Sequence, residues 1–229
     1  MPEVSILARS THPSHDSTQG SNPEKGTTRE RLLQSAGPVF AARGFEAATV
    51  RELAAVAKVN IAAVGYHFGD KLGLYREVIE SLQKACDERF PQPNNTESDP
   101  QKRLTQTVKN FLCRSSGQSG WETQLLMREI QQPTPVFDHI IRVIFRPQFE
   151  HLISNLEEMS SLKLLRFQYE QLALGIIGQC IYFATGTGMI QILISEENWR
   201  EHFDIESLTE HIVAHTTKTL RFHENETEH

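Results

Sequence analysis

A chain of 229 residues with 38% hydrophobic and 23% charged residues can bury one good core or two small ones, and its composition excludes a fibrous or wholly disordered protein. Three widely spaced cysteines, Cys86, Cys113 and Cys180, form no CxxC pair, which argues against a disulfide framework or a zinc ribbon and for a reducing compartment. The first residues lack a basic stretch followed by an apolar core, and no apolar run reaches bilayer-spanning length, so the expectation is a soluble cytoplasmic protein with no membrane partner.

The net charge of −6 argues at first against a nucleic-acid partner, because phosphate binding depends on Lys and Arg. The charge is unevenly spread. Residues 25–90 hold ten basic and eight acidic side chains, whereas residues 91–229 hold twelve basic and eighteen acidic ones. An excess of two positive charges is slight, so a nucleic-acid reading has to rest on motif and geometry.

In chain order, residues 1–24 are rich in Ser, Thr, Pro, His and Gly without helical periodicity, and are expected to form a disordered tail. Thr28 is a suitable cap for a first helix whose apolar positions Leu32, Leu33, Ala36, Val39 and Phe40 share a face, and Arg43-Gly44 is a stop signal. Thr49 caps a second helix, with Val50, Leu53, Ala54 and Ala57 inward. A third short helix is expected from Asn60 to Phe68, with Val64 and Phe68 on its buried side; Gly69-Asp70 breaks it, and Lys71 opens a fourth helix reaching Phe90. Pro91–Pro100 reads as a linker. The expected organisation is therefore a tail (1–24), a helical head with its connecting helix (25–90) and a helical body (91–229).

The body is helical again by pattern. Pro100–Arg114, Trp121–Gln131, Val136–Met159 with a kink at Pro147, Leu162–Thr185 and a last helix from Ser207 to Phe222 are the predicted elements, the last opened by a Ser-x-x-Glu capping box at Ser207 and Glu210. Leu162–Thr185 is apolar nearly all round, which implies burial on more than one side; with Gly175 and Gly178 allowing close approach, it and the last helix are the candidate dimer interface. No segment alternates as a strand. The fold class is all-α.

Thr49–Lys71 carries the chemistry. Two short helices around a tight turn are the arrangement that lays its second helix in the major groove of DNA. On the third helix, Ile61, Ala62 and Gly65 fall on one flank of the outer face, and Tyr66 and His67 on the other. Thr49 and Lys71 add a hydroxyl and a charge at helix starts, where anions are favoured.

From Thr28 to about Glu80 the sequence resembles the TetR/AcrR family of bacterial transcription regulators, through Arg43-Gly44-Phe45, Thr49, Arg51-Glu52-Leu53-Ala54, Ala57, Val59-Asn60, Tyr66-His67-Phe68, Lys71, Leu74 and Tyr75. The stretches VNIAAVGYHFGDKLGLY, REIQQPTPVF (128–137), RPQFEHL (146–152) and GQCIYF (178–183) resemble the subgroup containing the regulator CecR. The resemblance implies a homodimer on a palindromic operator of double-stranded DNA, usually a repressor, released when a small-molecule effector enters the C-terminal domain. Position by position, it implies phosphate contacts by Thr49, Tyr66, His67 and Lys71, and base-facing roles for Arg51, Ile61, Ala62 and Gly65. Lys58 and Gly65 depart from the pattern, which commonly has Gly in the turn and a larger side chain on the recognition helix. Phe111, Trp121, Met127, Ile141, Phe145, Tyr169 and Gln179 sit on helices that enclose a cavity in this family, whose mostly apolar lining suits an apolar effector.

Other readings of the same residues carry less weight. His211 and His215 are four apart, a metal-binding spacing, but without an acid in the HExxH arrangement they read as surface or interface histidines, and no metal site is expected. Gly186-Thr187-Gly188 is too short for a phosphate loop and reads as a helix end. No Ser/His/Asp or Cys/His set is legible, so neither an enzyme nor a cofactor is expected. The alternative function is a helical ligand-binding or interaction protein with a weakened DNA-binding head.

Overall fold

The computed structural model describes residues 26–89, 91, 97–115, 120–161 and 164–227, and within them every regular element is helical. The head consists of α1 (Thr28–Arg43), α2 (Val50–Val56), α3 (Ala62–Phe68) and α4 (Lys71–Arg89). The body adds α5 (Pro100–Ser115), α6 (Trp121–Gln131), α7 (Phe137–Ile140), a π-helical turn (Ile141–Phe145), α8 (Arg146–Met159), α9 (Arg166–Thr185), α10 (Thr187–Leu193), α11 (Glu196–His202) and α12 (Ile205–Thr227). The tail expected at 1–24 lies outside the described residues, as does half of the linker.

Local chemistry explains the helix ends, and two N-caps differ from the sequence reading. Thr27, not Thr28, caps α1: its hydroxyl accepts from the Glu30 amide, and the Glu30 carboxylate accepts from the Thr27 amide at 2.8 Å. The last helix starts at Ile205 because Asp204 takes the cap; its carboxylate accepts from the Ser207 amide at 2.9 Å and from the Ser207 hydroxyl at 2.8 Å. The residue expected to cap the helix instead donates to the cap.

Pro147 does more than bend a long helix. It has no amide hydrogen and its ring crowds the carbonyl one turn back, and the residues just before it, Ile141–Phe145, widen into the π-helical turn that divides α7 from α8.

Two apolar cores result. The first gathers Leu32, Phe40, Leu53, Val64, Leu74, Tyr75 and Val78 from the head together with Leu125, Val136, Ile140 and Ile144 from the body. The second is built from α5, α8, α9 and α12, with Leu104, Val108, Leu152, Leu156, Ala173, Ile176, Ile212 and Leu220 at its centre. Pro91–Pro100 thus separates two segments of chain, while α6 and the turn after it pack as part of the head's own core.

Gly73 sets the angle between α3 and α4. A Cβ there would lie 2.0 Å from the carbonyl oxygen of Phe68, so the start of α4 can approach the end of α3 only with glycine.

Candidate nucleic-acid interface

Around the turn between α2 and α3 most polar side chains stand exposed. Thr49 caps α2, its hydroxyl oxygen accepting from the Glu52 amide at 3.1 Å, which leaves the hydroxyl proton for an outside acceptor. Arg51 is exposed and enters no ion pair with a described residue, while Glu52 beside it is taken by Arg43 at 3.3 Å. The guanidinium therefore points from the first turn of α2 with its donors available.

α3 begins at Ala62, two residues later than the spacing suggests, because Asn60 turns the chain first: its Oδ1 accepts from the Ala62 amide at 2.9 Å. Val64 is buried as expected, and the opposite face is open. Ile61 is 53% exposed and Tyr66 86% exposed, with Ala62 and Gly65 exposed between them. A Cβ at Gly65 would meet nothing within 4 Å, so this glycine answers no packing demand among the described residues. His67 is half-buried and packs edge-on against the Tyr66 ring, with centroids 4.9 Å apart. Six of the eight residues expected to face DNA, Thr49, Arg51, Ile61, Ala62, Gly65 and Tyr66, are thus exposed.

Lys71 differs. Its ammonium donates to the carbonyls of Phe45 (2.8 Å), Glu46 (3.3 Å) and Ala48 (3.1 Å) and lies 4.4 Å from the centre of the Phe45 ring. Three acceptors satisfy its three donors, so its hydrogen bonds go to the α1–α2 loop. The sequence could not distinguish this use from a phosphate contact, because both need a cation at the same helix start.

Lys58 is the only non-glycine residue at positive φ among those described, with φ +54° in the turn between α2 and α3. The left-handed conformation costs a side chain about 1–2 kcal/mol, which is the physical basis for a glycine preference at that turn.

The seven residues expected to line an effector cavity do not converge. Trp121 packs on α1, where a Cβ on Gly37 would fall 2.3 Å from its ring, so it joins head to body. It and Phe145 belong to the first core, whereas Phe111 and Tyr169 belong to the second; the Tyr169 hydroxyl accepts from the Leu164 amide at 3.2 Å. Met127 and Ile141 are half-buried on α6 and the π-helical turn, and Gln179 donates to the Gly175 carbonyl one turn back on α9 at 3.3 Å. The helical pattern reports which residues are buried, not which core receives them. A polar cleft of about 360 Å³ does lie between α5 and α8, lined by Arg103, His151, Ser154, Asn155 and Glu158. Its guanidinium is already engaged by Asn155 Oδ1 (2.9 Å), the Glu97 carbonyl (2.7 Å) and Glu158, which makes it an internal staple.

The exposed side of α9 carries Phe167, Gln171, Leu174, Gly178 and Tyr182 at helical spacing, and Leu174 is 60% exposed. α10 continues the patch with Met189, Ile192 and Leu193. Burial of α9 on more than one side is thus not achieved within a single copy. His211 and His215 stand exposed on α12 with parallel rings, and among the described residues no three metal-ligating side chains cluster. No single described helix is long and apolar enough to cross a membrane.

Residues 100–220 match the family model of the C-terminal domain of the HTH-type transcriptional dual regulator CecR, and residues 32–78 match that of the bacterial regulatory proteins of the tetR family. The HTH-type transcriptional repressor BepR of Brucella suis biovar 1 (strain 1330) is 35% identical over 77 residues, 31% of this chain and 37% of that protein. The probable HTH-type transcriptional regulator YttP of Bacillus subtilis (strain 168) is 29% identical over 90 residues, 38% of this chain and 44% of that one. The matched stretches span less than half the length of these curated relatives. In fold, the chain is similar to AibR, solved in complex with isovaleryl coenzyme A and operator DNA, with a TM-score of 0.59 at 15% identity over 82% of this chain and 97% of that one.

Proposed function

Because the chain belongs to the TetR family of bacterial regulatory proteins and carries a CecR-type C-terminal domain, we propose that it is a DNA-binding transcriptional regulator, acting as a dimer on a palindromic operator and released by a small-molecule effector. The observation that carries this reading is the exposed face of α3. An isolated helical bundle gains nothing by leaving Ile61 and Tyr66 in water beside Arg51 and Thr49, whereas a helix entering the major groove buries them against bases and sugar-phosphate.

In this reading Thr49, Tyr66 and His67 hold phosphates through hydroxyl and imidazole donors, and Arg51 reads a base edge. Ile61, Ala62 and Gly65 allow close approach and touch thymine methyl groups, so hydrogen-bonded readout falls mostly to Arg51, with sequence-dependent DNA shape contributing the rest. Lys71 acts behind the surface, fixing the loop that delivers Thr49. Two copies meet through the apolar stripe of α9, continued by α10, with α12 alongside. The effector, mostly apolar by the character of the body, acts by preferring a state in which the heads are misplaced for DNA.

The test is selection from a random double-stranded DNA pool with the full chain. Enrichment of a palindrome, bound with strong salt dependence, is the expected result; retention no better than for unselected DNA at low salt refutes the reading.

A further inference from the structure

α6 carries a carboxylate deep in the joint between head and body. Glu129 is 2% exposed, and both its oxygens are used. Oε2 accepts from the Tyr75 hydroxyl on α4 at 2.6 Å; Oε1 accepts from the Thr134 amide at 2.9 Å and from its hydroxyl at 2.7 Å. The Thr134 hydroxyl oxygen in turn accepts from the Val136 amide at 3.3 Å, and Val136 enters the first core. On the same helix Trp121 lies on Gly37, and Arg128 donates to the Ala42 carbonyl at 3.4 Å and rests against Gly44. α6 is therefore pinned to α1 and α4 at several points, most of them in the motif REIQQPTPVF, for which the DNA-binding surface has no use.

A buried carboxylate is a poor device for stability alone, since an apolar residue of similar volume does as well or better. Its advantage is directional. Apolar side chains tolerate sliding, whereas three hydrogen bonds to one carboxylate fix an angle. Burial, then the neighbouring carboxylate, pushes the Tyr75 phenol well above its ordinary range, so it remains the donor at any physiological pH.

We propose that Glu129, Tyr75 and Thr134 form a specificity-determining joint: they lock the head onto α6, the helix of the body that packs into the head's core, and thereby fix the half-site spacing that the dimer accepts. This rests on the DNA-binding reading above. A rotation of about 10° over a lever of roughly 20 Å, the scale of a small domain, moves the recognition helix by about 3.5 Å, close to one base-pair step. None of the three residues needs to touch DNA to decide which operators fit.

The experiment uses the full chain and the palindrome it selects from a random pool, rebuilt with the half-sites moved by one and two base pairs in either direction. Wild-type protein is expected to discriminate against a one-base-pair change by at least tenfold. Tyr75→Phe and Thr134→Val are expected to reduce that ratio to about threefold or less, with half-site base preferences unchanged. Thr134→Ser, which keeps the hydroxyl, is expected to retain the wild-type ratio and to separate the hydroxyl's role from a general loss of folding. Wild-type discrimination in folded Tyr75→Phe and Thr134→Val overturns the joint and leaves the DNA-binding reading standing. Failure of the wild type to enrich any DNA overturns both.

Discussion

The outer face of α3 and the outer face of α9 both leave large apolar side chains in water, yet they are built differently. On α3 the exposed Ile61 and Tyr66 occupy barely two turns and are flanked by Arg51, Thr49 and His67, each able to donate a hydrogen bond. On α9 and α10 the exposed Phe167, Leu174, Tyr182, Met189 and Ile192 run over several turns with almost no charge among them. A surface meant for a polyanion needs donors at its rim and little apolar area; a surface meant for another protein copy needs the reverse. Exposed apolar residues alone do not separate the two cases. Their border does.

Leu174→Glu is the strongest way to break the comparison. Placing a charge in the centre of the α9 stripe is expected to weaken the dimer by about 3 kcal/mol or more, over 100-fold in dissociation constant by sedimentation equilibrium, with operator affinity falling alongside. An unchanged dimer would remove α9 from the interface. Arg51→Ala acts on the other face: the dimer stays intact, DNA binding loses about 1–3 kcal/mol, and the preference at one base pair per half-site relaxes. A uniform loss across all sequences would show that Arg51 grips backbone only.

Lys71→Ala sharpens the distinction between residues on the α3 surface and residues behind it. With three carbonyls left unpaired, the head is expected to lose about 1–2 kcal/mol in thermal or denaturant unfolding, and DNA affinity to fall through the misplaced α1–α2 loop. The slope of log affinity against log salt should stay as in the wild type. A direct phosphate contact would instead lower it by about one. The smallest effect belongs to Lys58→Gly, which removes a left-handed side chain at the turn and is expected to stabilise the head by about 0.5 kcal/mol, after the added freedom of glycine in the unfolded chain is offset. Destabilisation there would mean that interactions of the Lys58 side chain outweigh the backbone strain.

The helices of the head were readable almost to the residue because each carries its own punctuation. Thr49 before a run of inward residues and Gly44 after one act within a few residues, and the exposed flank of α3 follows from Val64 being its buried side. Where two capping groups compete the cap moves, by one residue from Thr28 to Thr27 and by three from Ser207 to Asp204. α10 and α11, as short as α2 and α3, were not predicted; α10 opens on Gly186 with no side-chain cap, and seven residues alone establish no period.

What the sequence determined by itself is therefore local: an all-α chain, a helix–turn–helix between Thr49 and Phe68, and the outward flank that meets DNA in the proposed function. Only the tertiary structure decided that Lys71 turns inward to three carbonyls, that Trp121 seats on Gly37 instead of lining a cavity, and that Glu129 reaches Tyr75 across 54 residues of chain. Caps and helical periodicity act between neighbours in sequence and leave a pattern there. The choice of partner for a buried polar group depends on which distant helix arrives opposite it, and no short pattern records that.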